Sequence, residues 1–163
     1  MATVGINVAV SPKGTSIAQG VQFAFSPGVG TPAGVVGTDG LIDLSKQDAK
    51  GTAVSLAFQI TTPNITFTTG TSIGTFPLSF YASTNGAKDA CWIALKGQNP
   101  SIYGGTEFVF ASNALGPGNG TVTVLDNNND GLQYAYALWI WIATNGTQGT
   151  RFEDDPRIIN HPT

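Results

Sequence analysis

Apolar residues recur at every second position in several short stretches of this chain, and that spacing constrains its fold more than any other feature. Val4, Ile6, Val8 and Val10 alternate with Gly5, Asn7 and Ala9. Successive side chains of an extended strand point to opposite faces, so this stretch predicts a strand with one apolar face. The pattern returns at Val21, Phe23 and Phe25, then at Val54, Leu56, Phe58 and Ile60. Ile65 with Phe67, and Phe76, Leu78 and Phe80, repeat it over shorter spans. Glu107–Phe110 and Thr121–Leu125 read as further strands, and Gln133–Thr144 as the longest. Cys91–Leu95 is apolar on both faces, which predicts a central strand.

Turn and breaker residues separate these stretches. Ser11-Pro12-Lys13-Gly14 ends the first strand, and Asn85-Gly86 has hairpin-turn composition. Pro63 ends another. Pro77 lacks a ladder donor and predicts an edge or bulge position for its strand. Ser26–Gly40, Gly97–Gly105 and Ala111–Gly120 read as loops, and the first, rich in glycine, is a candidate cover for a sheet edge. Leu41–Leu44 reads as a short strand and Ser45–Asp48 as one helical turn. No amphipathic helix of useful length is legible. The expected fold is all-β: a mostly antiparallel sandwich of the immunoglobulin-like or Greek-key type, one domain spanning residues 1–163.

Only 10% of the residues are charged, against roughly 25% in an ordinary soluble domain. Surfaces with so little charge repel one another weakly, so a homo-oligomer is expected, most simply a dimer. The net charge is −3 and the cations are scattered, which argues against a nucleic-acid partner. The longest apolar run, Tyr134–Ala143, falls short of the roughly 20 residues a membrane helix needs. The N-terminus shows no signal-peptide pattern, so a cytoplasmic location is expected. The sequons at Asn64, Asn119 and Asn145 matter only on a secretory route. Cys91 is the single cysteine, and its apolar neighbours predict a buried structural thiol.

The candidate metal ligands are Asp126, Asn128 and Asp130. With Gly131 at the sixth position they reproduce the first half of a calcium-binding EF-hand loop, where alternate oxygens converge. The twelfth position is Ala137 rather than a carboxylate, and the flanks are strand-like. Asn, Asp and Gly also build ordinary hairpin turns, so turn and calcium site are both consistent with this string. No other cofactor is indicated.

Trp139 and Trp141 share one face of the last long strand, opposite Leu138, Ile140 and Ile142. Together with Tyr134 and Tyr136 they are the candidate ligand-binding residues. Exposed indoles bind sugars or partner proteins; a strand buried on both faces is the alternative. His161, the only histidine, stands near the chain end, a poor place for a catalytic base. Glu153, Asp154 and Asp155 read as a solvated carboxylate cluster. No P-loop, G-x-G-x-x-G fingerprint or cysteine pair is present, and catalysis is not expected.

The last forty or so residues resemble one family. Thr121–Asp126, the Asn/Asp/Gly-rich Asn127–Gly131, Tyr134 and Tyr136, Asn145-Gly146 and the closing Asp155-Pro156-Arg157-Ile158-Ile159-Asn160 are similar to the AidA/PixA-type bacterial inclusion-body proteins and the small DP-EP proteins. The resemblance implies a cytoplasmic β-sandwich without assigned catalytic residues, some relatives accumulating as intracellular inclusions. It departs at methionine, of which this chain has only Met1. In D-P-R-I-I-N itself, Pro156 favours an extended Asp155, and Ile158 and Ile159 are expected to anchor the chain end, with Asp155, Pro156 and Asn160 in structural roles. The expected function is non-enzymatic self-association or protein interaction; the alternative is a carbohydrate or small-ligand module assisted by calcium.

Overall fold

A computed structural model of the chain describes residues 1–46, 52–69, 72–81, 90–95, 107–110, 120–128, 130–145, 148–154 and 157–159. Its strands are β1 (Ala2–Pro12), β2 (Val21–Pro27), β3 (Ile42–Asp43), β4 (Val54–Ile60), β5 (Asn64–Thr69) and β6 (Ser72–Phe80). They continue with β7 (Cys91–Leu95), β8 (Phe108–Phe110), β9 (Thr121–Asp126), β10 (Gln133–Asn145), β11 (Gln148–Asp154) and β12 (Arg157–Ile159). Two short 3-10 turns, Ile17–Gln19 and Leu44–Lys46, also appear among the described residues.

The period-two pattern is realised directly. Val4, Ile6 and Val8 of β1 and Val54, Leu56 and Phe58 of β4 are wholly buried, while the residues between them are half-buried. One sheet runs β2-β1-β4-β9-β8, and the other β3-β12-β10-β6-β5, with β7 and β11 also paired to β10. Their apolar faces meet. Phe58 of the first sheet packs on Tyr136 of the second at 5.4 Å, and Phe108 on Tyr134 at 4.8 Å. The fold is an all-β sandwich.

Most ladders are antiparallel, but β1 pairs with β4 in parallel, as does β12 with β3. Parallel neighbours require a crossover. The segment after β2 provides it, passing to the second sheet as β3 before the chain returns as β4. That crossover is the glycine-rich stretch, and it covers an edge as its composition suggests. The Gly28 amide donates to the Gly5 carbonyl at 2.7 Å. The Thr31 hydroxyl accepts from the Gly5 amide at 2.8 Å and donates to the Gly5 carbonyl at 3.0 Å. The same crossover buries Val35, Val36, Ile42 and Leu44 in the core, which its loop-like composition conceals.

The central strand of the second sheet is β10, not the expected Cys91–Leu95. One edge of β10 takes β12 and then β11; the other takes β7 and then β6. Among the described residues β7 pairs with β10 alone. Cys91 is fully buried as expected, and burial pushes its thiol well above the ordinary range. Pro77 stands where β6 passes from pairing with β5 to pairing with β10, a position that needs no second ladder bond. Glu153 and Asp154, two of the three carboxylates read from sequence as a solvated cluster, stand at the end of β11, a strand the sequence reading did not assign. Of the closing motif, Ile158 is fully buried. Asp155, Pro156, Asn160 and His161 lie outside the described residues, as does the side chain of Ile159. No helix among the described residues is long and apolar enough to cross a membrane.

Candidate functional site

The alternation of β10 sorts its aromatic residues into two sets. Tyr134, Tyr136, Leu138, Ile140 and Ile142 point between the sheets and are all buried. Trp139 and Trp141 point away from the core and are half-buried. The four candidate ligand residues are therefore not brought together.

On the outer face the two indoles meet Tyr81. Its amide donates to the Trp139 carbonyl at 2.8 Å, prolonging the β6 ladder beyond Phe80. That register places the Tyr81 ring 6.3 Å from Trp139 and 5.6 Å from Trp141, tilted by 60° and 43°. Tilted aromatic pairs at such spacings contribute about 0.5–1.5 kcal/mol beyond burial. Trp92 opposes Ala137 and so shares this face, also half-buried. All three tryptophans of the chain thus stand on one side of the second sheet. The small residues Ala137 and Ser79, opposite Trp92 and Trp141, are buried on that same side. Small residues between large rings let the rings settle on the sheet, and Trp139 Nε1 is buried there. Arg151 and Glu153 of β11 oppose Trp141 and Trp139 in register. Tyr81 and Trp92 escaped sequence reading, although the inward parity of Phe80 and Ile93 would have placed both outward.

The inward tyrosines are anchored by their hydroxyls. Tyr136 donates to the buried Gly40 carbonyl at 2.6 Å. Tyr134 donates to the Asp130 carboxylate and sets its ring edge-on to Phe108. Burial pushes the Tyr134 phenol up, and the Asp130 hydrogen bond, the Asp130 charge and the charges of Glu107 and Asp126 push it further.

Asp130 belongs to the acidic loop. Asp126 closes β9 on the inward parity set by Val122 and Val124 and is fully buried. Its Oδ1 accepts the Asn128 amide at 2.8 Å, and Asn128, also buried, adopts a left-handed φ of 50°. Asn tolerates that region better than most residues. Asp130 Oδ1 accepts the Leu132 amide at 2.9 Å, and Gly131 has a φ of 65°. Both carboxylates therefore accept from the backbone two residues on, the bonding of Asx turns. Asn127 donates to the carbonyl of Glu107 at 2.9 Å, tying the loop to the start of β8. Glu107 is itself buried, a neighbour of the loop that the sequence did not bring to notice. The three proposed ligands, Asp126, Asn128 and Asp130, share one short loop. Among the described residues no group of three or more His, Cys, Asp and Glu side chains is placed to hold a metal ion. Neither models of known protein families nor curated proteins give a match to this chain.

Proposed function

We propose that the protein works without catalysis, as a β-sandwich that associates with copies of itself through the outer face of its second sheet. The observation that carries this reading is the gathering of Trp92, Trp139, Trp141 and Tyr81 on that one face. Trp and Tyr supply large contact area at low entropy cost and dominate interaction hot spots. The charge-poor composition leaves little repulsion to overcome. The likeness of Thr121–Asn160 to the AidA/PixA-type and DP-EP proteins is in keeping with it. Light scattering over a dilution series tests the reading. The mass is expected to rise with concentration in the native chain and less in Trp141→Ala; a monomer at every concentration overturns it.

A second reading, a carbohydrate-binding module, rests on the same rings, because a sugar's apolar face stacks on aromatic side chains. Calcium at Asp126, Asn128 and Asp130 would assist it. Sugar titrations followed by tryptophan fluorescence distinguish the two, since sugar binding changes the emission of a monomer.

A further inference from the structure

An end strand of a sheet presents unpaired backbone groups and templates another strand unless it is short, covered or interrupted. The strand paths through the two sheets end in β2 and β8, and in β3 and β5. Among the described residues β7 and β11 each pair with β10 alone, but β7 is shorter than β5 and β11 carries Arg151, Glu153 and Asp154, charges that oppose edge pairing. Three of these ends are protected. β3 has two residues and β8 three. β2 receives the crossover, Phe25 donating to the Thr38 carbonyl at 3.5 Å, and closes on Pro27. β5 has six residues, Asn-Ile-Thr-Phe-Thr-Thr, with no proline, lysine or bulge. Among the described residues, no segment pairs with its outer edge.

The ladder phase shows which groups that edge presents. The Leu78 amide donates to the Pro63 carbonyl at 2.9 Å. Antiparallel bonding alternates, so Ile65 and Phe67 bond inward to β6 and the amides and carbonyls of Asn64, Thr66 and Thr68 turn outward. The side chains of those three residues are exposed, while Ile65 and Phe67 anchor the strand in the core. The sequence carries no charged residue between Lys50 and Lys88, so no like charge opposes two copies of this hairpin as they meet. The β-branched Ile and Thr residues favour extended pairing.

We infer that β5 is an assembly edge that pairs antiparallel with β5 of a second copy about a two-fold axis, running the second sheet through both molecules. Thr66 and Thr68 then make cross-strand pairs with their counterparts. The inference does not depend on the aromatic face, and either can fail alone.

Amide hydrogen exchange on the full chain, dilute and concentrated, tests it alongside light scattering. On concentrating, the amides of Asn64, Thr66 and Thr68 are expected to slow about tenfold or more, while those of Ile65 and Phe67 are protected throughout. Thr66→Pro removes the middle outward donor without touching a β5–β6 bond and is expected to abolish the slowing. Should that variant not fold, the double variant Thr66→Lys, Thr68→Lys serves instead, its charges meeting across the axis. Fast exchange of the three amides at every soluble concentration overturns the pairing, whatever mass is measured, and leaves the aromatic reading standing. Slowing that survives the β5 variants, or that Trp141→Ala abolishes, overturns it equally.

Discussion

The hydroxyl of Tyr136 donates a 2.6 Å hydrogen bond to the carbonyl of Gly40, buried in the core and 96 residues away in sequence. This bond joins the central strand of the second sheet to the crossover that leaves the first. It explains why Tyr rather than Phe stands at an inward position between Ala135 and Ala137. Tyr136→Phe keeps the packing on Phe58 and removes the donor from a buried carbonyl. Stability should fall by about 1–3 kcal/mol, read as a lower urea midpoint at unchanged slope.

Gly28→Ala should be costly for a reason confined to the backbone. A Cβ at Gly28 would lie 2.9 Å from the Gly5 Cα, and neither main chain can yield without breaking the 2.7 Å Gly28–Gly5 bond. The expected loss is about 1–3 kcal/mol. Gly34, with open space around it but a φ of 81°, serves as the comparison; Ala there should cost about 1–2 kcal/mol from the left-handed backbone alone. Thermal melts of the two variants separate crowding from backbone strain.

Alkaline pH should destabilise the fold through Tyr134 and Cys91. Folding raises both groups' pKa values, so the native state holds protons that the unfolded chain releases. Their contribution is fully present below the unfolded values, about 8.5 for Cys and 10 for Tyr, and is lost progressively above them. Stability plotted against pH should slope downward from there, and Cys91→Ala with Tyr134→Phe should flatten the slope. An identical slope in the double variant would count against the assignment.

Ending the chain at Asp154 deletes β12, whose Ile158 is fully buried between Tyr134 and Ile42 in register. Burial of one isoleucine is worth about 1.5–3 kcal/mol, and the parallel ladder to β3 is lost with it. The melting temperature should fall by several degrees. No change would show that the chain end does not anchor the sandwich.

Asp126→Ala tests what the acidic loop is for. Its carboxylate holds the Asn128 amide, so the variant should lose about 1–3 kcal/mol in calcium-free buffer. Millimolar calcium is the companion measurement. A melting temperature that rises with the ion in the native chain, but not in Asp126→Ala, favours the calcium-assisted reading; equal melts with and without the ion assign the loop to the turn alone.

What the sequence determined by itself was everything that depends on parity and on local turn chemistry. Alternation at Val4–Val10, Val54–Ile60 and Leu138–Ile142 decides which side chains face a core, because a strand's side chains have only two directions. The same rule already separated Trp139 and Trp141 from the aliphatic face of β10, and it held the position of the two tyrosines too, since both share parity with Leu138. Tertiary structure decided what lies beyond one strand's reach. Cys91–Leu95 looked central because both its faces are apolar, yet its outer face places Trp92 on the same side of the sheet as Trp139 and Trp141, and centrality fell to β10, the strand long enough to pair twice on each edge. The crossover's composition is that of a loop, but Val35 and Val36 are buried in the core, and Gly40 is held by Tyr136, 96 residues distant. Gln148–Asp154 has weak strand character of its own and is extended because β10 offers it an edge. Parity is local, whereas pairing, crossover and burial depend on which segments the closed sandwich brings side by side.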